Sequence, residues 1–182
     1  MENDLRTIYV SDITPLLNGK IIKVAGWVHE VRDVGHIIFL LLRDNTGIIQ
    51  ITAKKGTVSD ELMKQLNLPK ESVVSVTAEV VENKQAKKGI ELIPKEIINL
   101  NPLSSSIPFE VTGKVPAELD VRLNFRHIDL RRVQTTAIFK IESTILKTFR
   151  NTLEKEKFNE IRTPSIVKEA TEGGTDLFKI SQ

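Results

Sequence analysis

The chain has 182 residues, 40% of them hydrophobic and 27% charged, which predicts a soluble globular protein with one domain and part of a second. There is no cysteine, so disulfide scaffolds and thiolate–zinc sites are excluded, and no apolar run reaches the roughly 18 residues of a membrane span. The net charge of +2 does not indicate a basic nucleic-acid domain, so any RNA binding would depend on a local patch and on base stacking.

The first half of the chain has the period of β-strands. In residues 20–31, apolar Ile22, Val24 and Val28 alternate with Lys23, Trp27 and His29. Similar runs predict strands at 20–31, 36–43, 48–53, 72–82 and 90–99. Ser59 is placed to cap a short helix that Pro69 stops. Five strands with a helix between the third and fourth predict an all-β, five-stranded OB-fold barrel, whose strand 2–3 face commonly binds oligonucleotides.

The second half has a helical period. Residues 101–108 form a composition break that suits a domain boundary. Beyond it, residues 137–156 place Ile138, Ile141, Ile145 and Phe149 close to one helical stripe. Residues 169–176 are polar and contain two glycines, which predicts a mobile loop. We therefore expect three parts, at 1–102, 103–133 and 134–182.

Three stretches resemble one enzyme family, in the family's order. GWVHEVRD at 26–33, with FLLLRD at 39–44 and GIIQ at 47–50, resembles the anticodon-binding domain of aspartyl-, asparaginyl- and lysyl-tRNA synthetases. AELDVR at 117–122 and NFRHIDLRR at 124–132 resemble the hinge and the start of the catalytic domain. FNEIRTP at 158–164, with the helix before it, resembles motif 1 of class II synthetases, so the second part is expected to be the α+β start of a class II catalytic domain.

The loop ATEGGTDLF at 170–178 resembles that of archaeal-type aspartyl-tRNA synthetases. This resemblance implies a cytoplasmic homodimer that uses ATP and Mg²⁺ to attach L-aspartate to tRNA(Asp). It further implies that Glu172 takes the α-amino group of aspartate, since a carboxylate suits an ammonium and flanking glycines let a loop close. The same resemblance implies a dimer interface built by Pro164 and the preceding helix with Ile141 and Ile145, although packing within one subunit would cover that stripe equally well.

The resemblance also implies an anticodon site on the barrel. Phe39 would stack a base and Gln50 would read the central uridine, while Arg32 and Glu91 would hold the anticodon backbone and its first base. The alternatives are a barrel-core phenylalanine and a solvent-facing glutamine. Lys87 would add positive charge for phosphates, although for a single lysine in a surface loop a solvated charge is the more common explanation.

His29 is where the sequence departs from part of the family. Archaeal-type enzymes that are strict for tRNA(Asp) tend to have a second tryptophan there, whereas those that also charge tRNA(Asn) tend to have histidine. Trp-Val-His at 27–29 therefore indicates a non-discriminating enzyme. Lys87 points the other way, because relaxed enzymes often have proline at that place.

Neither the Phe-Arg-x-Glu signature of motif 2 nor the Gly-rich motif 3 occurs in the 182 residues, so they contain no catalytic residue and are expected not to make aspartyl-adenylate alone. No metal-ligand spacing is present either. Two other functions remain open. One is a stand-alone tRNA-binding OB module, and the other is an asparaginyl-tRNA synthetase.

Overall fold

The computed structural model describes residues 5–86, 88–101, 103 and 107–164, and it contains two compact units. One unit takes in the described residues up to Glu110 together with Lys114–Phe125. The other takes in Val111–Gly113 and the described residues from Arg126 onward. The strands are β1 (Ile21–Asp33), β2 (Ile37–Arg43), β3 (Ile48–Lys54), β4 (Val73–Glu82) and β5 (Ile90–Asn101). The helices are α1 (Asp60–Leu66), α2 (Leu119–Asn124), α3 (Arg126–Asp129) and α4 (Val133–Lys155), and two 3-10 turns, Val10–Asp12 and Pro15–Leu17, precede β1.

The five strands close into a barrel in the order β1-β2-β3-β5-β4, with α1 between β3 and β4 along the chain. All strand pairs are antiparallel except β3 with β5, which is parallel. This confirms the predicted OB-fold. β1 runs two residues beyond its predicted end, because Arg32 and Asp33 still pair with Phe39 and Ile38 on β2.

Strand alternation fills the barrel with aliphatic side chains. Ile38, Leu40 and Leu42 of β2 are at most 4% exposed and point inward, as do Ile49 and Ile51 of β3. The same alternation sends the intervening residues outward. Phe39 therefore lies on the outside of the barrel and is absent from the core, so the alternative of a core phenylalanine is wrong.

Two polar residues fix the connections of the barrel. The hydroxyl of Ser59 accepts a hydrogen bond from the amide of Leu62, which caps α1 as predicted. The carboxylate of Asp44 accepts from the amides of Val10, Thr46 and Gly47 and from the hydroxyl of Thr46, all within 2.9 Å. Burial disfavours the charged form of Asp44, but these bonds outweigh it and lower its pKa. One carboxylate thus holds both the β2–β3 turn and the segment before β1.

In the second unit, α3 and the start of α4 are organised around one buried carboxylate. Asp129 is 0% exposed, and it accepts hydrogen bonds from Arg126 at 2.6 Å and from the hydroxyl of Thr135 at 3.2 Å. Arg132 lies 4.0 Å from the same carboxylate. Two arginines therefore lie close enough to Asp129 to offset its buried charge.

Helix α4 begins at Val133, four residues before its predicted start at Ala137. Its apolar stripe is uncovered, because Ile138, Ile141, Ile145 and Phe149 are 61–64% exposed. Within the described part of the chain, then, packing inside one subunit does not cover this stripe. None of the described helices has the length and apolar character needed to span a bilayer.

Candidate nucleic-acid interface

The outer face of β1, β2, β3 and β5 brings together four of the residues that the sequence singled out. Arg32 on β1 pairs in register with Phe39 on β2, and Phe39 pairs with Thr52 on β3. Gln50 lies two residues from Thr52 on the same face, and Glu91 is next to both of them across the β3–β5 boundary. A half-buried ring, a guanidinium, an amide and a carboxylate therefore share one continuous surface.

A hydrogen-bond network fixes the amide of Gln50. Its Nε2 donates to the hydroxyl of Thr52 at 3.1 Å and to the carboxylate of Glu91 at 3.2 Å. The Thr52 hydroxyl donates in turn to the same oxygen of Glu91 at 2.5 Å. Because the amide nitrogen is directed at Glu91, the carbonyl Oε1 of Gln50 is left as an acceptor for another group. An acceptor beside an aromatic ring suits the N3–H of a uracil.

The guanidinium of Arg32 lies at the open end of this face. Its side chain is 66% exposed, and it donates to the carboxylate of Glu30 at 2.9 Å. That hydrogen bond lowers the pKa of Glu30. An exposed pair of this kind contributes at most about 1 kcal/mol to stability, so a phosphate could displace Glu30 from Arg32 at little cost. The guanidinium is therefore accessible to an anion from solvent.

His29 also lies on β1, three residues before Arg32, and it occupies a β-bulge. Val28 pairs with Leu42 and Glu30 pairs with Leu41, so His29 is the extra residue of β1. A bulge turns the side chain of the inserted residue relative to its neighbours. Here the ring of His29 lies outside the barrel, with Nδ1 at 3.1 Å from Nη1 of Arg43.

Arg43 is held from the other side by a buried carboxylate. Its Nη2 donates to both oxygens of Glu71, at 2.7 and 2.9 Å, and the two residues are only 7% and 4% exposed. The guanidinium also lies 5.7 Å from the centre of the Trp27 ring. Burial, and after it the charge of Arg43, lower the pKa of His29, while Glu71 and Glu30 oppose this. His29 is therefore neutral at pH 7.

Gly26 lets β1 approach the end of β2 closely. A Cβ built on Gly26 would lie 2.3 Å from the carbonyl oxygen of Arg43, a distance that no side chain tolerates. The two strands pair in register from the next residue, where Trp27 faces Arg43. The glycine thus sets the backbone position of Arg43 and, through it, the place of the guanidinium beside His29.

Sequence reasoning missed three residues of this surface: Thr52, Arg43 and Glu71. Strand alternation could have found Thr52, because it is two residues from Gln50 and so must share its face. The sequence gives a weaker indication for Arg43, which is the charged residue at the end of an apolar strand. It gives none for Glu71, because the pairing of Glu71 with Arg43 joins residues 28 positions apart.

Two predicted site residues, Lys87 and Glu172, lie outside the described residues, so their roles stay predictions. The neighbour of Lys87 is described: the ammonium of Lys88 donates to the carbonyl of Val10 at 2.8 Å. Pro164 is described as an exposed residue outside regular secondary structure. Over the residues that the structure describes, no group of three His, Asp or Glu could hold a metal ion.

Comparison with known families and structures agrees with this architecture. Residues 22–100 match the OB-fold nucleic acid binding domain, and residues 118–182 match the tRNA synthetases of class II (D, K and N). The fold is similar to asparaginyl-tRNA synthetase from Pyrococcus horikoshii complexed with asparaginyl-adenylate, with a TM-score of 0.85 and 31% identity over 98% of this chain and 41% of that one. A putative aspartyl-tRNA synthetase from Leishmania major Friedlin gives a TM-score of 0.79 at 30% identity, over 91% of this chain and 36% of that one.

Curated relatives are more similar in sequence. The aspartate–tRNA(Asp/Asn) ligase of Archaeoglobus fulgidus is 47% identical over 175 residues, which are 96% of this chain and 41% of the relative. The aspartate–tRNA(Asp) ligase of Thermococcus kodakarensis is 50% identical over 174 residues, 95% of this chain and 40% of the relative. The chain thus spans about two fifths of the length of these relatives. One relative is named as a ligase for tRNA(Asp) and tRNA(Asn), and the other as a ligase for tRNA(Asp) alone. The level of sequence identity therefore does not decide between strict and relaxed choice of tRNA.

Proposed function

The chain is homologous to the archaeal aspartate–tRNA ligases, with an OB-fold nucleic acid binding domain followed by a class II tRNA synthetase segment, and we propose that it supplies tRNA recognition to such a ligase. The complete protein would attach L-aspartate to tRNA(Asp) at the expense of ATP. The observation that carries the proposal is the outer barrel face, where Thr52 is paired with Phe39 and hydrogen-bonded to the fixed amide of Gln50, so that the ring and the amide share one surface.

The barrel would bind the anticodon as an unpaired strand. Phe39 would stack one base, which is worth roughly 1–3 kcal/mol and does not depend on which base it is. Gln50 would add the choice of base, because its Oε1 accepts from the N3–H of the central uracil while Glu91 occupies its nitrogen. Glu91 would contact the first base, and Arg32 a phosphate.

The rest of the reaction would depend on the complete polypeptide. Glu172 would bind the α-amino group of aspartate, and ATP and Mg²⁺ would bind to parts of the catalytic domain other than the described residues. This chain alone would then be inactive in adenylate formation. The compartment would be the cytoplasm, as expected for this class of enzyme.

An asparaginyl-tRNA synthetase is the less favoured alternative. The curated relatives above are aspartate ligases at 47–50% identity, whereas the asparaginyl-tRNA synthetase structure is 31% identical to this chain. A stand-alone tRNA-binding module is less favoured as well, since residues 118–182 match a synthetase domain.

Aminoacylation by the complete protein tests the proposal. We expect aspartate to be transferred to a tRNA(Asp) transcript and, because His29 stands where strict enzymes tend to have tryptophan, also to a tRNA(Asn) transcript. Asparagine, supplied in parallel, should not be transferred. Transfer of asparagine in place of aspartate would refute the assignment of the amino acid, and negligible aspartylation of tRNA(Asn) would refute the relaxed choice alone.

A homodimer would cover the stripe on α4. Four apolar side chains that are 61–64% exposed form a patch of the kind that marks protein interfaces. We expect the complete protein to be a dimer in sedimentation, and the double substitution Ile141→Glu and Ile145→Glu to weaken it by about two orders of magnitude, since each isoleucine contributes roughly 1.5 kcal/mol or more. The control is Val34→Glu, which changes a 63% exposed residue of the barrel. A double variant that dimerises like the wild type would contradict the interface.

A further inference from the structure

The contacts of His29 fix the tautomer of its ring as well as its position. An arginine has only donors, so the contact between Nη1 of Arg43 and Nδ1 of His29 requires Nδ1 to carry no proton. A neutral ring that accepts at Nδ1 must carry its proton on Nε2. Rotation of Arg43 away from the ring is opposed by Glu71, which holds the other terminal nitrogen with both of its oxygens.

The charged groups around His29 leave its ring neutral, with the proton on Nε2. Four charged residues act on His29: Arg43 on β2, Glu71 and Lys70 ahead of β4, and Glu30 on β1. Burial of the ring, and after it the charge of Arg43, outweigh the two carboxylates and lower its pKa. The ring therefore stays neutral, and its Nε2–H is a single, fixed donor.

The position of His29 on the sheet indicates which base it faces. Across the outer face the order of strands is β5, β3, β2, β1, which places Glu91, then Gln50, then His29. The axes of β3 and β1 are about 10 Å apart, two strand spacings. If Glu91 contacts the first anticodon base and Gln50 the central one, the third base falls towards β1 and His29.

The geometry points to Arg43 and Glu71 as positioning residues that hold His29 as a lone N–H donor to O2 of a pyrimidine at the third anticodon position. This inference rests on the proposed function. Codons for aspartate and asparagine differ in their first base, so the two anticodons end in C and U. The O2 carbonyl is common to both pyrimidines, which differ at N3 and at position 4. A donor restricted to O2 accepts either base, and this explains how one barrel can serve two tRNAs.

The tautomer is read directly by long-range ¹H–¹⁵N correlation spectra of the 182-residue chain at pH 7. We expect His29 to show an unprotonated Nδ1 and a protonated Nε2, while the exposed His36 and His127 show averaged tautomers. In Arg43→Gln, His29 should move towards the averaged pattern. A purely structural role of Arg43 would leave this signature unchanged in a folded variant. A protonated ring or an Nδ1–H tautomer in the wild type would overturn the inference, even if Arg43→Gln does not fold.

The RNA side is tested with two anticodon stem–loops that differ only in the third anticodon base, C or U. We expect His29→Phe, which keeps a flat ring but has no donor, to weaken binding of both RNAs by a similar factor of about three to ten. A loss confined to one RNA would overturn the shared-acceptor inference. If the wild-type chain bound neither stem–loop, the proposed function would fail. The spectra would still test independently whether Arg43 holds the tautomer of His29.

Discussion

Replacing Glu71 by glutamine should lower the free energy of unfolding of the chain by about 3 kcal/mol or more, which is the cost of leaving one member of a buried ion pair without its counter-charge. Arg43 and Glu71 are 7% and 4% exposed, so water cannot take over from the lost carboxylate. The amide of the variant would also direct an N–H towards a guanidinium that can only donate. Urea denaturation followed by circular dichroism measures the change.

Glu30→Gln is the matched control. It removes the same charge from the pair with Arg32, whose side chains are 66% and 27% exposed. An exposed ion pair is worth at most about 1 kcal/mol, so this variant should unfold close to the wild type. Equal and small losses for the two variants would show that the Arg43–Glu71 pair is not the anchor that holds His29.

The local periodicity of the sequence is enough to predict most of the barrel. Alternation along β1 and β3 separates inward from outward residues, because successive strand side chains must point to opposite faces. Alternation alone therefore indicates that Gln50 points outward, and the same two-residue step places Thr52 beside it. The cap at Ser59 is equally predictable, since a hydroxyl that satisfies the free amides of the first helical turn acts within three residues.

The features that could not be predicted depend on contacts between distant segments. The bulge at His29 is a shift in the register between β1 and β2, and the local pattern of one strand does not show how it pairs with another. Glu71 adopts a left-handed backbone with φ of +68°, which is unusual for a residue other than glycine. Its buried contact with Arg43 holds it there. Likewise, Phe39 alone could not be assigned to the core or the surface until the pairing of β2 was known.

Replacing Phe39 by alanine should weaken binding of the tRNA(Asp) anticodon stem–loop by about fivefold or more. Stacking on an aromatic ring is worth roughly 1–3 kcal/mol per base, and the half-buried ring of Phe39 lies on the outer face between Arg32 and Thr52. The matched variant Phe39→Leu keeps an apolar side chain of similar bulk on the barrel. Because leucine offers no ring to stack on, it should lose nearly as much affinity as alanine while keeping the stability of the barrel.

Gln50→Ala should change selectivity more than affinity. The wild type should prefer a central U over a central C, because Oε1 of Gln50 accepts from N3–H of uracil and finds no such donor on cytosine. Removing the amide should abolish this preference and leave stacking on Phe39 in place. Fluorescence anisotropy with labelled stem–loops gives both affinities for each variant.

The most direct measurement is the affinity of the 182-residue chain for the tRNA(Asp) anticodon stem–loop, compared with that of the double variant Phe39→Ala and Gln50→Ala. Ile98→Ala, which shortens a 42% exposed side chain on β5, serves as the control for surface changes on the same barrel. Since the ring would stack one base and the amide would bind the central one, we predict a loss of at least about tenfold for the double variant and less than about twofold for the control. A double variant that binds this RNA as tightly as the wild type would contradict the account.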